Sequence, residues 1–222
     1  MFVPLFIFGF CRKPTKIRKM NITSQRKKEI LDELGIKNDL PIVLVYGGSQ
    51  GAQKINEAVV DLIKQKRNDK YQIIWATGTK QYDIVKENFE KENIYINSLK
   101  NVKILPYIYN MEELMNISDL MVCRSGAMTI TEVSIVGKPA IFIPLPSMSA
   151  NRQEDNALVL KKIGAAKMIL NNEVNGTNLS EEIEEIIHDK LELEEMGKMA
   201  ETIAPSNVED KIYAEIEKIL KK

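Results

Sequence analysis

Six short apolar runs recur along the chain, at residues 42–46, 71–76, 102–105, 120–123, 140–143 and 165–170. The first, Ile42-Val43-Leu44-Val45-Tyr46, is continuous rather than alternating, the pattern of a strand covered on both faces. Between the runs, apolar residues fall at helical spacing, as in Ile55, Ala58, Val59, Leu62 and Ile63. Strands alternating with helices at this spacing predict an α/β fold built on a doubly wound parallel, Rossmann-like sheet. Further helices are expected over residues 22–35, closed by Gly35, and over 82–93, 157–163, 179–188, 191–199 and 208–220. The expected organisation is an unmatched apolar start (1–13), a linker and helix (14–40), the Rossmann-like domain (41–204) and a carboxyl-terminal helix (205–222). Pro205-Ser206-Asn207 is the candidate hinge before that helix.

Charge and composition narrow the function. Lys plus Arg and Asp plus Glu number 31 each, so no global basic field gathers nucleic acid, and none is expected as a partner. Cys11 and Cys123 lie too far apart for a metal or redox motif; no metal site is expected, and a reduced, cytoplasmic setting fits. The single histidine, His188, sits in a charged helical segment, so a mechanism needing a histidine base finds little support in this chain. Residues 1–10 are apolar, with Phe2, Leu5, Phe6, Ile7, Phe8 and Phe10, but this is about half of the ~20 residues that a membrane span requires. A strand stub from a longer protein is the expectation.

Several turns follow strands and open helices. Gly47-Gly48-Ser49-Gln50-Gly51-Ala52 offers positive-φ positions and close backbone approach for a phosphate, or else a tight turn with Ser49 as a cap. It has neither the G-x-G-x-x-G spacing nor the Lys-Ser/Thr ending of a P-loop. Ser125-Gly126-Ala127-Met128-Thr129 is a second small-residue helix start. Glu132 lies one turn beyond, where it suits ribose hydroxyls, though Thr129-Ile130-Thr131-Glu132 also matches a capping box. Asn151-Arg152-Gln153-Glu154-Asp155-Asn156 gathers hydrogen-bonding side chains after a strand and suits a sugar ring, or forms a solvated helix start. Thr77 to Lys80 is a polar loop at the same sheet edge, and Pro106 to Met111 an aromatic turn with Tyr107 either near a flat base or packed in the core.

In order and spacing, Gly47-Gly48-Ser49-Gln50-Gly51-Ala52, Pro106-Tyr107-Ile108-Tyr109-Asn110-Met111, Arg124-Ser125-Gly126-Ala127-Met128-Thr129, Gly137-Lys138-Pro139 and Asn151-x-Gln153-x-x-Asn156-Ala157 resemble the MurG family. These bacterial transferases move N-acetylglucosamine from its UDP carrier onto lipid I, making lipid II for peptidoglycan, with inversion. The resemblance covers residues 14–220. It implies the carboxyl-terminal half of a GT-B glycosyltransferase, in which two Rossmann-like domains face each other and this half holds the donor.

By the same resemblance, Gly48, Ser49 and Gln50 meet the diphosphate, with Ala127, Met128 and Thr129 assisting from the second helix start. Ile108 contacts uracil through its backbone, Glu132 holds the ribose hydroxyls, and Arg152 and Gln153 address the sugar. Lys13-Pro14-Thr15-Lys16 stands where the family has Gly-Asn-Pro-x-Arg, placing Lys16 at the arginine that reaches the phosphates. Arg152 stands where histidine or glutamine is usual. The catalytic base is unassigned, because the family carries it in the other half. UDP-N-acetylglucosamine is then a donor substrate rather than a cofactor. Lipid I and the membrane surface are met through the other half, on the cytoplasmic face of the membrane. Homodimerisation, or pairing with an amino-half partner through an exposed apolar face, is also implied. The competing expectations are a partner-dependent, UDP-N-acetylglucosamine-binding subunit of a split transferase, and an α/β protein whose turns are purely structural.

Overall fold

The computed structural model describes residues 15–37, 40–146 and 152–206, together with Tyr213, Ile216, Glu217, Ile219 and Leu220. The apolar start, Asn151, Asn207 and most of the expected final helix lie outside the described residues.

Six parallel strands, β1 (Ile42–Tyr46), β2 (Gln72–Ala76), β3 (Val102–Leu105), β4 (Leu120–Cys123), β5 (Ala140–Phe142) and β6 (Ala166–Met168), form one sheet in the order β3-β2-β1-β4-β5-β6. Around it pack the helices α1 (Ser24–Leu34), α2 (Gln53–Lys64), α3 (Tyr82–Glu90), α4 (Met111–Ile117), α5 (Ala127–Val136), α6 (Gln153–Lys162), α7 (Gly176–Ile187) and α8 (Lys190–Glu201).

The continuous apolar runs follow from burial on both sheet faces. All five residues of β1 are buried, and they divide by the period of two. Val43 and Val45 join Ile73, Trp75, Ile55, Leu62 and Leu179 in one core. Ile42, Leu44 and Tyr46 join Ile74, Met121, Ile30, Leu114, Val133 and Leu160 in the other. Each such aliphatic side chain contributes about 2 kcal/mol of burial, so a polar substitution on either face of β1 opposes folding.

Glycines end two helices, the first of them as expected. Gly35 closes α1 with φ 69°, and Gly137 closes α5 with φ 64°, conformations that favour glycine. Three elements differ from the expectation. The strand expected at 165–170 is confined to Ala166–Met168, a 3-10 turn forms at Ile96–Ser98, and α6 starts at Gln153 rather than near residue 157. Gln153 and Asn156 therefore lie on the first turn of a helix and not in a loop. This is the solvated helix start that the sequence offered as the alternative to a loop.

Ahead of α1, residues 15–20 run as a strap over α4 and α5. The Arg18 N–H donates to Glu112 Oε1 (2.8 Å), the Met20 N–H donates to Asn116 Oδ1 (2.8 Å), and Asn116 Nδ2 donates back to the Arg18 carbonyl (2.9 Å). Arg26 in α1 grips Glu113 of α4 with two hydrogen bonds, 2.8 and 3.0 Å long.

Candidate functional site

Strand order reverses between β1 and β4, whose last residues Tyr46 and Cys123 are partners in register. The chain leaves these neighbouring strands toward opposite faces, into α2 and α5, and the divergence opens a crevice, the usual ligand position in sheets of this kind. The cleft there measures about 470 Å³ and is walled by the first glycine turn, by Arg124, Gly126 and Thr129, and by Leu145, Gln153 and Asn171.

The first turn exposes backbone. Gly48 and Gly51 adopt φ 86° and 82°, and the Gly51 N–H donates to the Gly48 carbonyl (3.0 Å). Ser49 and Gln50 occupy the exposed tip between them and do not wall the cleft, whereas Gly47, Gly48 and Gly51 do. Ser49 is not a helix cap: α2 is preceded by Ala52, and no side chain closes its start.

The second turn has the same property. Gly126 precedes α5 without a side-chain cap, and Ala127, Met128 and Thr129 form the first helical turn. The alternative capping box at Thr129 does not form, because Thr129 already lies inside the helix. The Thr131 hydroxyl donates instead to the Ala127 carbonyl (3.0 Å), and the Glu132 carboxylate accepts from the Thr15 hydroxyl (3.0 Å) rather than from its own backbone. Burial pushes the Glu132 carboxyl above the usual carboxylate range, and the Thr15 hydrogen bond opposes that rise.

The third wall is the start of α6. Gln153 Oε1 accepts from the Leu145 N–H (3.0 Å), which leaves its Nε2 as a donor on the Gly126 side of the cleft. The Ser125 hydroxyl donates to the Gln153 carbonyl (2.7 Å), and Asn156 Nδ2 donates to the Ser125 carbonyl (2.8 Å). These bonds fix the starts of α5 and α6 to each other. Arg152 is exposed just ahead of the helix, and Lys16 is exposed on the strap; neither walls the cleft. The Ile108 side chain is buried between exposed Tyr107 and Tyr109, whose rings meet edge to face at 5.0 Å, so the core-packed alternative for Tyr107 fails.

Side-chain capping divides the helices: α2 to α6 start without it, and of these α2, α5 and α6 border the cleft. Thr23, Asn175 and Asp189 cap α1, α7 and α8. At α2, α5 and α6 no side chain does so, which leaves their first N–H groups and the positive ends of their dipoles open to an anion.

Sequence reading passed over Arg124, Asn171 and Lys54, all of which wall the cleft. Arg124 Nη1 donates to the Ile143 carbonyl (2.8 Å) and to Asn171 Oδ1 (2.7 Å). Burial lowers the pKa of its guanidinium, and no carboxylate among the described residues offsets that shift. A half-buried guanidinium held by neutral partners draws an anion into the cleft. The signal was present, since Arg124 directly follows an apolar strand at its carboxyl end. Among the described residues, no group of three or more His, Cys, Asp or Glu side chains gathers as a metal would require, and no helix is long and apolar enough to cross a membrane.

Sheet order, crevice and uncapped helix starts define a doubly wound, Rossmann-like domain with an anion-accepting site at its switch point. The chain belongs to the glycosyltransferase family 28 C-terminal domain family, whose model matches residues 42–212. It is 37% identical over 214 residues to a UDP-N-acetylglucosamine--N-acetylmuramyl-(pentapeptide) pyrophosphoryl-undecaprenol N-acetylglucosamine transferase of Acetivibrio thermocellus, across 96% of this chain and 56% of that protein. A protein of the same description from Caldanaerobacter subterraneus is 38% identical over 188 residues, across 85% of this chain and 51% of that protein. The chain thus spans about half the length of the curated relatives it matches. Among solved structures, MurG of Acinetobacter baumannii superposes with a TM-score of 0.70 at 28% identity, over 84% of this chain and 52% of that one. A UDP co-structure of MnaA from S. aureus shares the fold at 15% identity, with a TM-score of 0.65, over 90% of this chain and 51% of that one.

Proposed function

We propose that this chain is the donor-binding half of an inverting transferase that moves N-acetylglucosamine from UDP-N-acetylglucosamine onto lipid I, forming lipid II. The observation that carries the reading is the pairing of two uncapped helix starts across one crevice, with Glu132 one turn inside the second helix and turned away from its own backbone.

In this reading the diphosphate lies between the α2 and α5 starts. The backbone of Gly47 to Gly51, the Ser49 hydroxyl, the first N–H groups of α5 (Ala127, Met128, Thr129) and the Arg124 guanidinium meet its charge. Lys16 reaches it from the strap. Glu132 accepts from the ribose hydroxyls, the backbone at Ile108 meets uracil, and Gln153 with Arg152 addresses the sugar. An acceptor hydroxyl attacks the anomeric carbon from the face opposite the diphosphate. The C–O bond to UDP breaks, its electron pair passes to the phosphate oxygen, and the helix ends stabilise that charge where it develops. The donor is a substrate, and the chemistry asks no cofactor of this half.

Removal of the acceptor proton requires a base, and no histidine or carboxylate is among the described residues that wall the cleft; the sole histidine, His188, is exposed at the end of α7. An acceptor-binding half, supplied as a partner, would bring the base, the lipid I site and contact with the cytoplasmic face of the membrane. The chain alone then binds donor and turns over slowly. Isothermal titration calorimetry with UDP and UDP-N-acetylglucosamine, followed by transfer assays with a lipid I analogue, tests this. Absence of UDP binding at millimolar concentration refutes the reading, and brisk turnover by the chain alone refutes its dependence on a second half.

A further inference from the structure

The contact between Thr15 and Glu132 joins residues 117 positions apart. The Thr15 oxygen is used twice: it accepts from the Ile17 N–H (3.2 Å) and donates to Glu132 Oε1 (3.0 Å). A hydroxyl carries one proton and two lone pairs. Acceptance from Ile17 therefore fixes its orientation and sends its proton to the carboxylate. The strap holding Thr15 is itself pinned, by Glu112 and Asn116 of α4 and by the pairing of Lys19 with Glu201 at the end of α8. Ile17 packs against the core on the same side of the sheet. The hydroxyl is thus a fixed donor, built from outside the Rossmann-like motifs and aimed at the acid that the donor site uses.

We propose that Thr15 is a positioning residue of the donor site: it holds one oxygen of the Glu132 carboxylate and leaves the other directed at the ribose hydroxyls. This rests on the donor-binding reading above. A ribose hydroxyl pair needs an ionised acceptor in a defined rotamer. Glu132 is half-buried, so without a fixed donor its carboxyl gains a proton more readily and its side chain turns among rotamers. The titratable groups that feel its charge are Tyr46 of β1 and Cys123 of β4, both buried and neutral at physiological pH, with the Cys123 thiol pushed up to about 12. No charged side chain from α4, α6 or α8 acts on the Glu132 carboxylate. The Thr15 hydroxyl is its one stabilising partner among the described residues.

The test compares the parent chain with Thr15→Val, which keeps the shape and removes the hydroxyl, and with Thr15→Ser, which keeps it. Two readouts are taken: the carboxyl titration of Glu132 by carbon-13 NMR, and UDP affinity by calorimetry from pH 5 to 8. Fluorescence of Trp75 checks that each variant folds. Thr15→Val is expected to raise the Glu132 midpoint, weaken UDP about fivefold at pH 7 and carry the acid limb of UDP binding upward by the same interval. Thr15→Ser should match the parent in both. An unchanged Glu132 titration in Thr15→Val, or a Thr15→Ser variant as weak as Thr15→Val, overturns the proposal. So does a raised midpoint with UDP affinity unaltered. Failure of the parent to bind UDP overturns the donor-binding reading together with this one, and is recognised before any variant is made.

Discussion

Gly78 and Gly51 press backbone against backbone. A Cβ on Gly78 would stand 2.1 Å from the Gly51 nitrogen, and one on Gly51 would stand 2.1 Å from the Thr77 carbonyl oxygen. Both have positive φ, 87° and 82°. The loop after β2 thus braces the glycine turn after β1 from behind, at a separation that no side chain permits. Neither glycine is chosen for flexibility; each is chosen because two main chains share the space.

Gly78→Ala is therefore expected to cost about 2–4 kcal/mol, combining left-handed backbone strain with overpacking against an immovable main chain. Urea denaturation measures it. Gly48→Ala makes the control, since a Cβ there meets nothing within 4 Å and only the φ penalty remains.

A buried amide reinforces the same brace. Asn56 of α2 donates from Nδ2 to the Thr77 carbonyl (2.9 Å) and accepts from the Trp75 indole N–H (3.0 Å). Asn56→Leu leaves a buried donor and a buried acceptor unpaired, so a loss of about 2–4 kcal/mol is expected. Trp75 is the single tryptophan, so its emission should shift in the same variant and report the loss directly.

On the donor-binding reading, Arg124 serves the phosphates and not the base. Arg124→Gln should weaken UDP about ten- to a hundredfold and leave uridine binding unchanged, as calorimetry with the two ligands would show. Equal losses for both would mean that Arg124 only shapes the cleft through Ile143 and Asn171.

Glu132 sets stability against binding. Its carboxyl is raised by burial, so its contribution to stability is fully present below the ordinary carboxylate range and is lost as pH rises through the folded-state value. Glu132→Gln removes that cost. The variant should unfold at a temperature at or above the parent's at pH 7, with the gap closing as pH falls below the ordinary range. UDP and uridine should both weaken about tenfold, while 2′-deoxy-UDP loses less. Thermal melts across pH and ligand titrations check the two halves separately.

Much of the frame was legible in the residue order. The apolar runs placed all six strands, because a strand buried on both faces admits few polar side chains and therefore declares itself. Gly35 marked a helix end because a left-handed terminus excludes most alternatives. The start of α6 stayed open between a loop and a solvated helix start, since a polar turn such as Gln153 to Asn156 looks alike in either. The two readings of Thr129 to Glu132 were equally open from sequence. The capping box falls because α5 already begins at Ala127, and the Glu132 carboxylate it would have used accepts from Thr15, far upstream. Arg124 stood at the carboxyl end of a strand, but that its partners are the neutral Ile143 carbonyl and Asn171 is a fact of three dimensions.

The sequence by itself determined that this chain forms a parallel α/β sheet with small-residue turns at helix starts, because local periodicity and backbone permissiveness act over a few residues. Only the tertiary structure decided that the turns after β1 and β4 share one crevice, that Gly51 needs Gly78, and that Glu132 answers to Thr15. Those relations join positions tens of residues apart, and nothing short of the packed sheet brings them within a hydrogen bond of one another.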